Sequence, residues 1–566
     1  MKVNLSIVTT RKTKKCSGDR RLSLAFCHSN VYGDANTEPM VALRKLGGSM
    51  AEHTKFFGKN WVDVSSVTRS ELEYFLKLSA TLKEAIREQR VNEYKLARDR
   101  DLFAALLFFE PSTRTRFSFE IAALRLGLRP VGFSGTEATS VKKGESLLDT
   151  VDMFDAYDID AVILRHPLDG AAKAVTEHLV RDEARPLCCF NGGDGQNEHP
   201  TQGLLDVFTI QECCGRLHDL EIGIAVDPKY GRTTHSFPVL LSLFPNNRFH
   251  VFSHPDLRMP KAVIQHLESR GVRVTEYFEE PDALKEMLPR LDFLYMTRLQ
   301  RERFEDDAEY YAARDMFLFT PEMMARTKTN FGVGHPLPDN KEFPTIHPSL
   351  KTHRKYWPKR QAGNGVPTRL TEMALSLGLA GFDFDGKCHR PRTPATDCVR
   401  DRDPGSHKNR NGSMDIRPVV NGTVIDHVEG NPYVIQKISK LLKLCERGDI
   451  FRMGVVEPIK RPGTRKGVLM IKDRLLEEQD VRLIATIAPG ATVNDIHDGR
   501  VVRKRDLFLP EIVEGLPGTH CTNHRCITRA EYHEHVPVKA VRVSPEEKNI
   551  VKCFYCNNLM HSDELF

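Results

Sequence analysis

Short apolar runs alternate with amphipathic segments along the chain from about residue 53 to residue 384. LFAALLFF (102–109) and LDFLYMT (291–297) have the length and the apolar content of buried strands. FSFEIAALRLG (117–127) and KAVIQHLES (261–269) instead carry apolar residues at helical spacing. Because such alternation is typical of parallel sheets covered by helices on both faces, it predicts two doubly wound α/β domains in sequence.

The pattern changes after the α/β region. Residues 385–413 are rich in Arg, Pro, Asp and Gly and poor in apolar residues, which predicts a flexible linker. KGVLMIK (466–472) is then predicted to be an antiparallel strand, and YVIQKISKLLKLC (433–445) a helix that packs on such strands. We therefore expect an α+β domain over 414–512 and a small β-rich domain over 513–566.

Composition and charge narrow the class of protein. The 566 residues are enough for three or four domains, and a formal net charge of +6 is too small to indicate nucleic-acid binding. No apolar run approaches the ~20 residues of a membrane span, and the N-terminus lacks the apolar core of a signal peptide. We therefore expect a cytoplasmic protein without a membrane partner. Residues 1–52 are polar and aperiodic, which predicts a disordered extension, with Met50 as an alternative start.

Four of the thirteen cysteines are grouped near the C-terminus. Two form a C-x4-C pair and two a C-x2-C pair, a spacing that is a strong signal for tetrahedral zinc. The predicted ligands are Cys521, Cys526, Cys553 and Cys556. Because all four are protein sulfurs, the site should be structural. A nucleic-acid-binding zinc ribbon is the alternative, to which His520, His524 and Arg525 lend some support.

The stretch PSTRTR (111–116) joins the predicted strand 102–109 to the predicted helix 117–127. A helix N-terminus offers unpaired N–H groups and the positive end of the helix dipole, which suits a phosphate group. Hydroxyl and guanidinium donors in the same stretch add charge-assisted hydrogen bonds. The alternative is an ordinary N-cap followed by solvated arginines.

Further segments place basic or polar side chains directly after a predicted strand or before a predicted helix. They are SVKKGES (140–146), ILRHPLDG (163–170), NEHPTQGLLD (197–206), DPKYGRTTHS (227–236) and TRLQRER (297–303). In open α/β sheets, ligands bind beyond the carboxyl ends of the strands. A single arginine at such a place is usually solvated, but several in this order converge on one crevice. We therefore expect anionic ligands.

The chain resembles the aspartate/ornithine carbamoyltransferase family over about 53–384. The matching motifs, in the family's order, are PSTRTR, KKGES, RHP (165–167), HPTQ (199–202) and GHPLP (334–338). The resemblance implies a carbamoyl-phosphate-binding domain and an aspartate-binding domain. Their expected bounds are 53–200, completed by a returning helix at 362–384, and 201–361.

Two features favour aspartate over ornithine as the carbamoyl acceptor. The TRLQ segment supplies Arg298 and Gln300, and the loop reads HPLP (335–338), where ornithine enzymes typically carry a Cys in the second place. An acidic acceptor needs cationic partners, and Arg232 and Arg298 can each grip one carboxylate as a bidentate fork. Another amine acceptor, or a non-catalytic scaffold of the same fold, is the alternative.

The resemblance implies transfer of the carbamoyl group from carbamoyl phosphate to L-aspartate in pyrimidine synthesis, without a catalytic metal. The implied catalytic residues are Arg114, Lys143, Arg165 and His199, with Lys143 supplied by a neighbouring subunit of a trimer. The implied substrate-binding residues are Ser112, Thr113, Arg114, Thr115, Lys143, Arg165, His199, Gln202, Arg232, Arg298, Gln300, Leu337 and Pro338. The family often has a Ser before the loop lysine, a place that Thr139 or Ser140 takes here.

GTVIDH (422–427), APGATVN (488–494) and the four clustered cysteines follow one another in the second half of the chain. With these motifs in its order, residues 414–566 resemble the regulatory-chain family that partners the aspartate-specific enzymes. That family binds CTP and ATP on its α+β domain, and its zinc domain docks on the catalytic chain. The implied effector-binding residues are Asp426, Asn494, Ile496, Val501 and Lys504. Met470 stands where the family has a basic residue, and Gly499 where it has an aromatic one, so we expect a weakened nucleotide contact. The implied assembly is a homo-oligomer in which regulatory dimers join catalytic trimers.

Overall fold

The computed structural model describes most of the chain after residue 53. The described residues are 54–90, 100–137, 139–179, 185–278, 282–299, 310–311, 317–389, 397–404, 419–428, 433–457, 463–544 and 549–566. The extension predicted over 1–52, with the alternative start at Met50, lies outside them. In the described parts of the chain, no helix combines the length and apolar character that crossing a bilayer requires.

The first domain is a four-stranded parallel sheet with helices. Its elements are α1 (Arg69–Arg87), β1 (Phe103–Phe108), α2 (Thr113–Leu126), β2 (Arg129–Ser134), α3 (Leu147–Ala156), β3 (Ala161–His166), α4 (Ala171–His178) and β4 (Cys188–Asp194). The strand order is β2-β1-β3-β4, and every neighbouring pair is parallel. Strand β1 is buried on both faces from Ala104 to Phe108, as its continuous apolar run predicts.

The second domain is a five-stranded parallel sheet in the order β7-β6-β5-β8-β9. Its elements are α5 (Pro200–Cys214), β5 (Glu221–Val226), α6 (Arg232–Leu241), β6 (Arg248–Ser253), α7 (Lys261–Ser269), β7 (Arg273–Tyr277), α8 (Ala283–Met287), β8 (Phe293–Met296), α9 (Pro321–Ala325) and β9 (Gly332–Gly334). The boundary expected after residue 200 falls at the first turn of α5. The carboxyl ends of both sheets carry the motifs identified in the sequence.

Two consecutive helices return the chain to the first domain. They are α10 (Pro358–Gly363) and α11 (Gly365–Ser376). Helix α11 packs on α1 and α2, and its Ser376 hydroxyl accepts a hydrogen bond from Trp61 Nε1 at 2.9 Å. The two α/β domains are thus joined twice, once through α5 and once through the pair α10–α11.

The third domain is a six-stranded antiparallel sheet with two helices on one face. Its elements are β10 (Val399–Arg402), β11 (Gly422–Val428), α12 (Val434–Leu441), β12 (Phe451–Val456), β13 (Lys466–Lys472), α13 (Glu478–Ile487), β14 (Thr492–His497) and β15 (Arg500–Leu507). The strand order is β10-β15-β14-β11-β13-β12. Ile425, Leu469 and Val493 of the sheet pack against Ile438 and Ile484 of the helices.

Strand β10 corrects the linker prediction. It lies inside the segment 385–413 and pairs with β15 from Val399↔Leu507 to Arg402↔Lys504. Cys398 next to it is buried in the core of the third domain. The polar composition concealed an edge strand, because an edge strand buries little and needs few apolar residues. Residues 390–396 and 405–418 lie outside the described part of the chain.

The fourth domain is a small antiparallel sheet of β16 (Ile512–Glu514), β17 (Lys539–Arg542), β18 (Ile550–Cys553) and β19 (Leu559–His561). Its core is continuous with that of the first domain, since Leu164 and Val175 share one hydrophobic cluster with Val513 and Val551. The parallel sheets of the first half and the antiparallel sheets of the second confirm the predicted fold class.

Candidate active site and metal centre

The stretch PSTRTR lies between the end of β1 and the first turn of α2, as the sequence predicts. Ser112 is the N-cap residue of α2, but its hydroxyl makes no capping hydrogen bond to the helix. Thr115 is buried, and its Oγ1 lies 3.5 Å from Nε2 of His199. Because the N-cap hydroxyl is not used by the helix itself, the geometry favours a ligand at this helix end over an ordinary N-cap.

Arg165 and Arg232 come from different domains and meet at Glu110. Arg165 ends β3, where its Nη1 donates to the carbonyl of Gly192 at 3.1 Å and its Nη2 lies 3.1 Å from Glu110 Oε2. Arg232 begins α6, donates to the carbonyl of Gly195 at 2.8 Å and lies 3.3 Å from the same Glu110 oxygen. Burial, and then the charge of Arg232, lower the pKa of Arg165 to about 9. Such a crevice favours an anionic ligand.

His199 lies immediately before α5 and is buried. Its backbone N–H donates to Ser236 Oγ at 3.1 Å, and its Nδ1 lies 3.3 Å from the Thr201 hydroxyl. Burial, and then the charges of Arg232 and Arg165, lower the pKa of His199 well below its usual range. The imidazole is therefore neutral at physiological pH, with one nitrogen that donates and one that accepts.

Arg114, Arg298 and His335 of the HPLP loop lie close enough for the arginine charges to shift pKa values in this group. Partial burial and the charge of Arg298 lower the pKa of Arg114. Burial lowers the pKa of His335 to about 4, and Arg114 and Arg298 add to this effect while Asp339 opposes it. The structure thus gathers the arginines of the helix N-terminus and of the TRLQ segment around the same crevice.

The other predicted site residues of the first half lie in several places. Gln202 is half-buried on α5, and Leu337 and Pro338 follow the end of β9. Lys143 is exposed in the short 3-10 turn Ser140–Lys143. Gln300 lies outside the described residues.

The hydroxyl question in the basic loop stays open between its two candidates. Thr139 uses its hydroxyl within the loop, donating to the carbonyl of Thr136 at 2.8 Å, and Ser140 is exposed.

Three residues of the site were not identified from the sequence. Glu110 joins two arginines from different domains, Asp206 accepts hydrogen bonds from Gln202 and Gln361, and Arg369 donates to the Thr201 hydroxyl at 3.4 Å. Glu110 directly precedes PSTRTR, so its position in the sequence could have indicated that it belongs to the site. Asp206 lies one helical turn after Gln202, a spacing that places both on the same helix face. Nothing local to the sequence indicates Arg369.

The four predicted metal ligands come together in the fourth domain. Their sulfurs all lie within 4.8 Å of one another, and all four residues are buried. Cys521 Sγ lies 3.6 Å from Cys556 Sγ, and Cys526 Sγ lies 3.8 Å from Cys553 Sγ. Four sulfurs at about 2.3 Å from a tetrahedral ion would lie about 3.8 Å apart, so the cluster fits a tetrahedral metal. The residues therefore form a metal-binding site.

The metal domain is packed against the loops that carry Arg165 and His199. Asn523 Nδ2 donates to Asp169 Oδ2 at 2.9 Å, and Arg525 Nη2 donates to the carbonyl of Pro167 at 2.9 Å. Asn557 Nδ2 donates to Asn197 Oδ1 at 3.1 Å.

The two surfaces approach closely at Gly170, where a β-carbon would lie 2.5 Å from Tyr555 Cβ. Only glycine fits at this contact.

The predicted effector residues share one face of the six-stranded sheet. Asn494 pairs with Val424 and Lys504, and Val424 pairs with Met470, so these residues form a cross-strand row. We call this face, which is turned away from α12 and α13, the outer face. Ile496 pairs with Val501 on the same side.

Asp426, also on the outer face, forms an ion pair with Lys466 at 2.7 Å. Lys472, which lies on β13 like Lys466, pairs with Asp473 at 3.4 Å. The nearest lysines to Met470 on β13 are thus already occupied by carboxylates.

A separate cavity of about 600 Å³ lies between α1, α5 and the α10–α11 pair. Lys83, Arg87, Arg360 and Trp357 line it, and none of the predicted site residues does. The candidate active site, where Arg165 and Arg232 meet at Glu110, is therefore distinct from this cavity.

Four family models match the chain in succession. They are the carbamoyl-phosphate-binding domain of aspartate/ornithine carbamoyltransferase at 59–212, its Asp/Orn-binding domain at 218–375, and the allosteric and metal-binding domains of the aspartate carbamoyltransferase regulatory chain at 414–508 and 511–566. The first model ends inside α5.

Curated relatives match the first half of the chain. The aspartate carbamoyltransferase catalytic subunit of Thermococcus kodakarensis is 40% identical over 326 residues, which is 57% of this chain and 98% of the relative. That of Chromobacterium violaceum is 39% identical over 321 residues, again 57% and 98%.

Solved structures agree with this assignment. The catalytic subunit of M. jannaschii aspartate transcarbamoylase matches with a TM-score of 0.50 and 33% identity, covering 56% of this chain and 97% of the other. The Trypanosoma cruzi enzyme in complex with carbamoyl phosphate and aspartate matches with a TM-score of 0.51 and 29% identity, covering 57% and 97%. The chain therefore belongs to the aspartate/ornithine carbamoyltransferase family, and it carries both regulatory-chain domains of aspartate carbamoyltransferase on the same polypeptide.

Proposed function

We propose that this chain transfers the carbamoyl group of carbamoyl phosphate to the amine of L-aspartate, giving N-carbamoyl-L-aspartate and phosphate for pyrimidine synthesis. The observation that carries the proposal is the convergence of arginines from both α/β domains on one crevice beside the N-terminus of α2. Both substrates are anions, and each needs cationic partners to overcome their mutual repulsion in water.

The phosphate group would lie at the N-terminus of α2. Ser112, Thr113 and Thr115 offer hydroxyls there, and Arg114 offers its guanidinium. The backbone N–H groups of the first helical turn complete the set of donors. As phosphate leaves, Arg114 would stabilise the charge that develops on it.

The carbamoyl oxygen would lie between Thr115, Arg165 and His199. The aspartate nitrogen attacks the carbamoyl carbon, the new C–N bond forms, and the C–O bond to phosphate breaks. Charge develops on the carbamoyl oxygen in the transition state, and donors fixed around it act as an oxyanion hole. Gln202 and the carbonyls of Leu337 and Pro338 would hold the carbamoyl NH₂ group.

The two carboxylates of aspartate would be gripped by Arg232 and Arg298, with Gln300 beside them. Arg232 is held in place by the carbonyl of Gly195 and by Glu110, so its guanidinium is oriented before the substrate arrives. An ornithine acceptor would instead need a carboxylate for its side-chain amine, and arginines cannot supply one.

Lys143 would enter the site from a neighbouring subunit. Its exposure on the single chain supports this, and so does the apolar face of α2 formed by Phe117, Ile121 and Leu124, which are 49%, 41% and 54% exposed. Such a stripe at helical spacing suits contact with a second copy of the chain. We infer a catalytic trimer, linked into a larger assembly by regulatory dimers.

The metal site would hold one structural Zn²⁺ per chain. The four sulfurs fill all positions of a tetrahedral ion, so none is left open for water or substrate. The outer face of the third domain would take a nucleotide effector such as CTP or ATP, with Lys504 toward the phosphates.

The test is formation of carbamoyl aspartate against aspartate concentration, with and without CTP, with ornithine as the control acceptor. We expect turnover with aspartate and none with ornithine. The Arg298→Ala variant should raise the KM for aspartate without changing the KM for carbamoyl phosphate. Absence of turnover with aspartate would refute the proposal, and a curve that ignores CTP would refute only its regulatory part.

A further inference from the structure

Asp206 is a buried carboxylate where three elements of the active-site region meet. It lies on α5, one turn after Gln202. Gln202 Nε2 donates to its Oδ1 at 2.9 Å, and Gln361 Nε2 donates to the same oxygen at 2.7 Å. The Tyr295 hydroxyl donates to Oδ2 at 2.7 Å. Elements α5, β8 and α10 are thus tied to one side chain.

An acceptor oxygen at this place decides which way both amides face. Each glutamine turns its NH₂ group to Asp206 Oδ1, so each amide oxygen is directed away from it. Gln361 Oε1 accepts the backbone N–H of His335 at 2.8 Å. Gln202 Oε1 has no hydrogen-bond partner within the described part of the chain, so it is available to accept from a ligand.

We propose that Asp206 is a positioning residue that makes the site select the NH₂ group of the carbamoyl substrate. The inference rests on the proposed function, in which Gln202 and two loop carbonyls hold that NH₂ group. An NH₂ group is a donor, so the protein must present acceptors to it. Asp206 presents the first one by turning Gln202 Oε1 away from itself and toward the ligand.

The remaining acceptors depend on Asp206 through Gln361. Gln361 is buried and anchors the backbone of His335, the first residue of the HPLP loop. The His335 ring in turn accepts the backbone N–H of Leu337 at 2.8 Å. The loop is held by its N–H groups, which leaves the carbonyls of Leu337 and Pro338 for the substrate.

The arrangement is the same in both protonation states of the carboxyl. Burial raises the pKa of Asp206 to about 7. A bound proton sits on Oδ2, because Oδ1 already receives two N–H groups, and the Tyr295 hydroxyl can turn to accept it. An Asn at this position could likewise keep its oxygen toward both glutamines and direct its NH₂ group to Tyr295.

Acetyl phosphate is the probe that isolates this role. It has the same phosphate and carbonyl as carbamoyl phosphate, but a methyl group replaces the NH₂ group. Loss of the acceptors for the NH₂ group should weaken the binding of carbamoyl phosphate and leave the binding of acetyl phosphate unchanged. General damage to the crevice would instead weaken both ligands alike.

The experiment compares the full-length chain with Asp206→Ala, Asp206→Asn and Tyr295→Phe at saturating aspartate. The readouts are the KM for carbamoyl phosphate and the inhibition constant of acetyl phosphate. Asp206→Ala should raise the KM about tenfold or more, equivalent to about 1.4 kcal/mol, and shift the inhibition constant less than about twofold. Asp206→Asn and Tyr295→Phe should keep both constants within about twofold.

Equal weakening of both ligands in Asp206→Ala would overturn the inference, and so would no change in either. If Asp206→Ala does not fold, Gln361→Met tests the same ratio, because it removes the anchor of the HPLP loop at nearly constant volume. The proposed function fails separately, since it predicts that the wild-type chain carbamoylates aspartate whatever the variants do.

Discussion

The chain has two regions suited to anions, and they are built differently. In the crevice between the α/β domains, Arg165 and Arg232 both pair with the one carboxylate of Glu110, and both are partly buried. On the outer face of the six-stranded sheet, Lys466 pairs with Asp426 at 2.7 Å, His427 lies 3.4 Å from the same carboxylate, and Met470 occupies the cross-strand row. Two arginines that share one carboxylate attract an anion, whereas a lysine matched by a carboxylate attracts one weakly.

The difference teaches that basic residues in a sequence are a poor guide to anion affinity by themselves. What decides the affinity is how many carboxylates neutralise the basic side chains. The crevice also gains from the N-terminus of α2, which has no counterpart on the outer face.

The largest effect should come from removing the metal by a Cys526→Ser substitution. Structural zinc contributes on the order of 10 kcal/mol to the folding of small domains, and this domain shares its core with the first. Its contacts to Pro167 and Asn197 hold the loops next to Arg165 and His199. We expect loss of the bound metal and a lower melting temperature. Because the catalytic half would lose its preformed crevice, we also expect a lower rate of turnover.

The matched control is Cys445→Ser, which removes an exposed cysteine far from the cluster in sequence. It should retain one metal per chain and a wild-type melting curve. A Cys526→Ser protein that lost its metal but melted and turned over normally would show that the metal domain does not support the crevice.

The next largest effect should be on turnover, from Arg165→Ala. Losing one donor to a developing oxyanion typically lowers kcat by about 10²–10³. Arg129→Ala is the control, because Arg129 is exposed on β2, where it pairs with the exposed carboxylate of Asp101 at 3.1 Å and lies 5.4 Å from the centre of the Phe103 ring. The measurement is kcat of both variants by steady-state kinetics. Equal rates for the two would mean that convergence of arginines in this crevice is not catalytic.

The sequence predicted the regular elements well because their signals are local. The apolar run 102–109 became β1, and KAVIQHLES became α7 with the same bounds. Strand β10 was missed because a four-residue edge strand with a single apolar residue, Val399, carries no hydrophobic pattern.

The site could be predicted in part for a related reason. Residues proposed to bind ligands directly, such as Arg165, lie in motifs with recognisable order. Residues that act through others depend on contacts distant in sequence. Gln361 donates a hydrogen bond to Asp206, which lies 155 residues earlier in the chain, and no local sequence pattern predicts such a contact. Glu110 was the exception, since it lies beside the motif that it serves.

A third test asks whether the outer face can be made more like the crevice. Met470→Lys would add a cation to the row that contains Asn494 and Lys504. A charge-assisted hydrogen bond contributes about 1.5–3 kcal/mol, so CTP affinity should rise by at least about tenfold. Isothermal titration calorimetry measures it, with Met470→Leu as the control of similar volume. Unchanged affinity would show that CTP phosphates do not lie over this row.

The last prediction concerns the cost of burying charge in the catalytic half itself. Glu372 on α11 is buried beside Arg369, and neither of its oxygens has a hydrogen-bond partner in the part of the chain that the structure describes. Burial raises the pKa of Glu372 to about 8, against an ordinary value of 4.5, while Arg369 opposes the shift. Between these two values the folded chain binds more protons than the unfolded one, so this group lowers the free energy of unfolding as the pH rises.

Glu372→Gln removes that titration and should melt progressively higher than the wild type as the pH rises from about 5 to about 8. Each kcal/mol corresponds to about 2–4 °C for domains of this size. The control is Glu84→Gln, since Glu84 is exposed on α1 and its substitution should leave the pH dependence of melting unchanged. If the two variants track each other across this range, the burial of Glu372 carries no penalty.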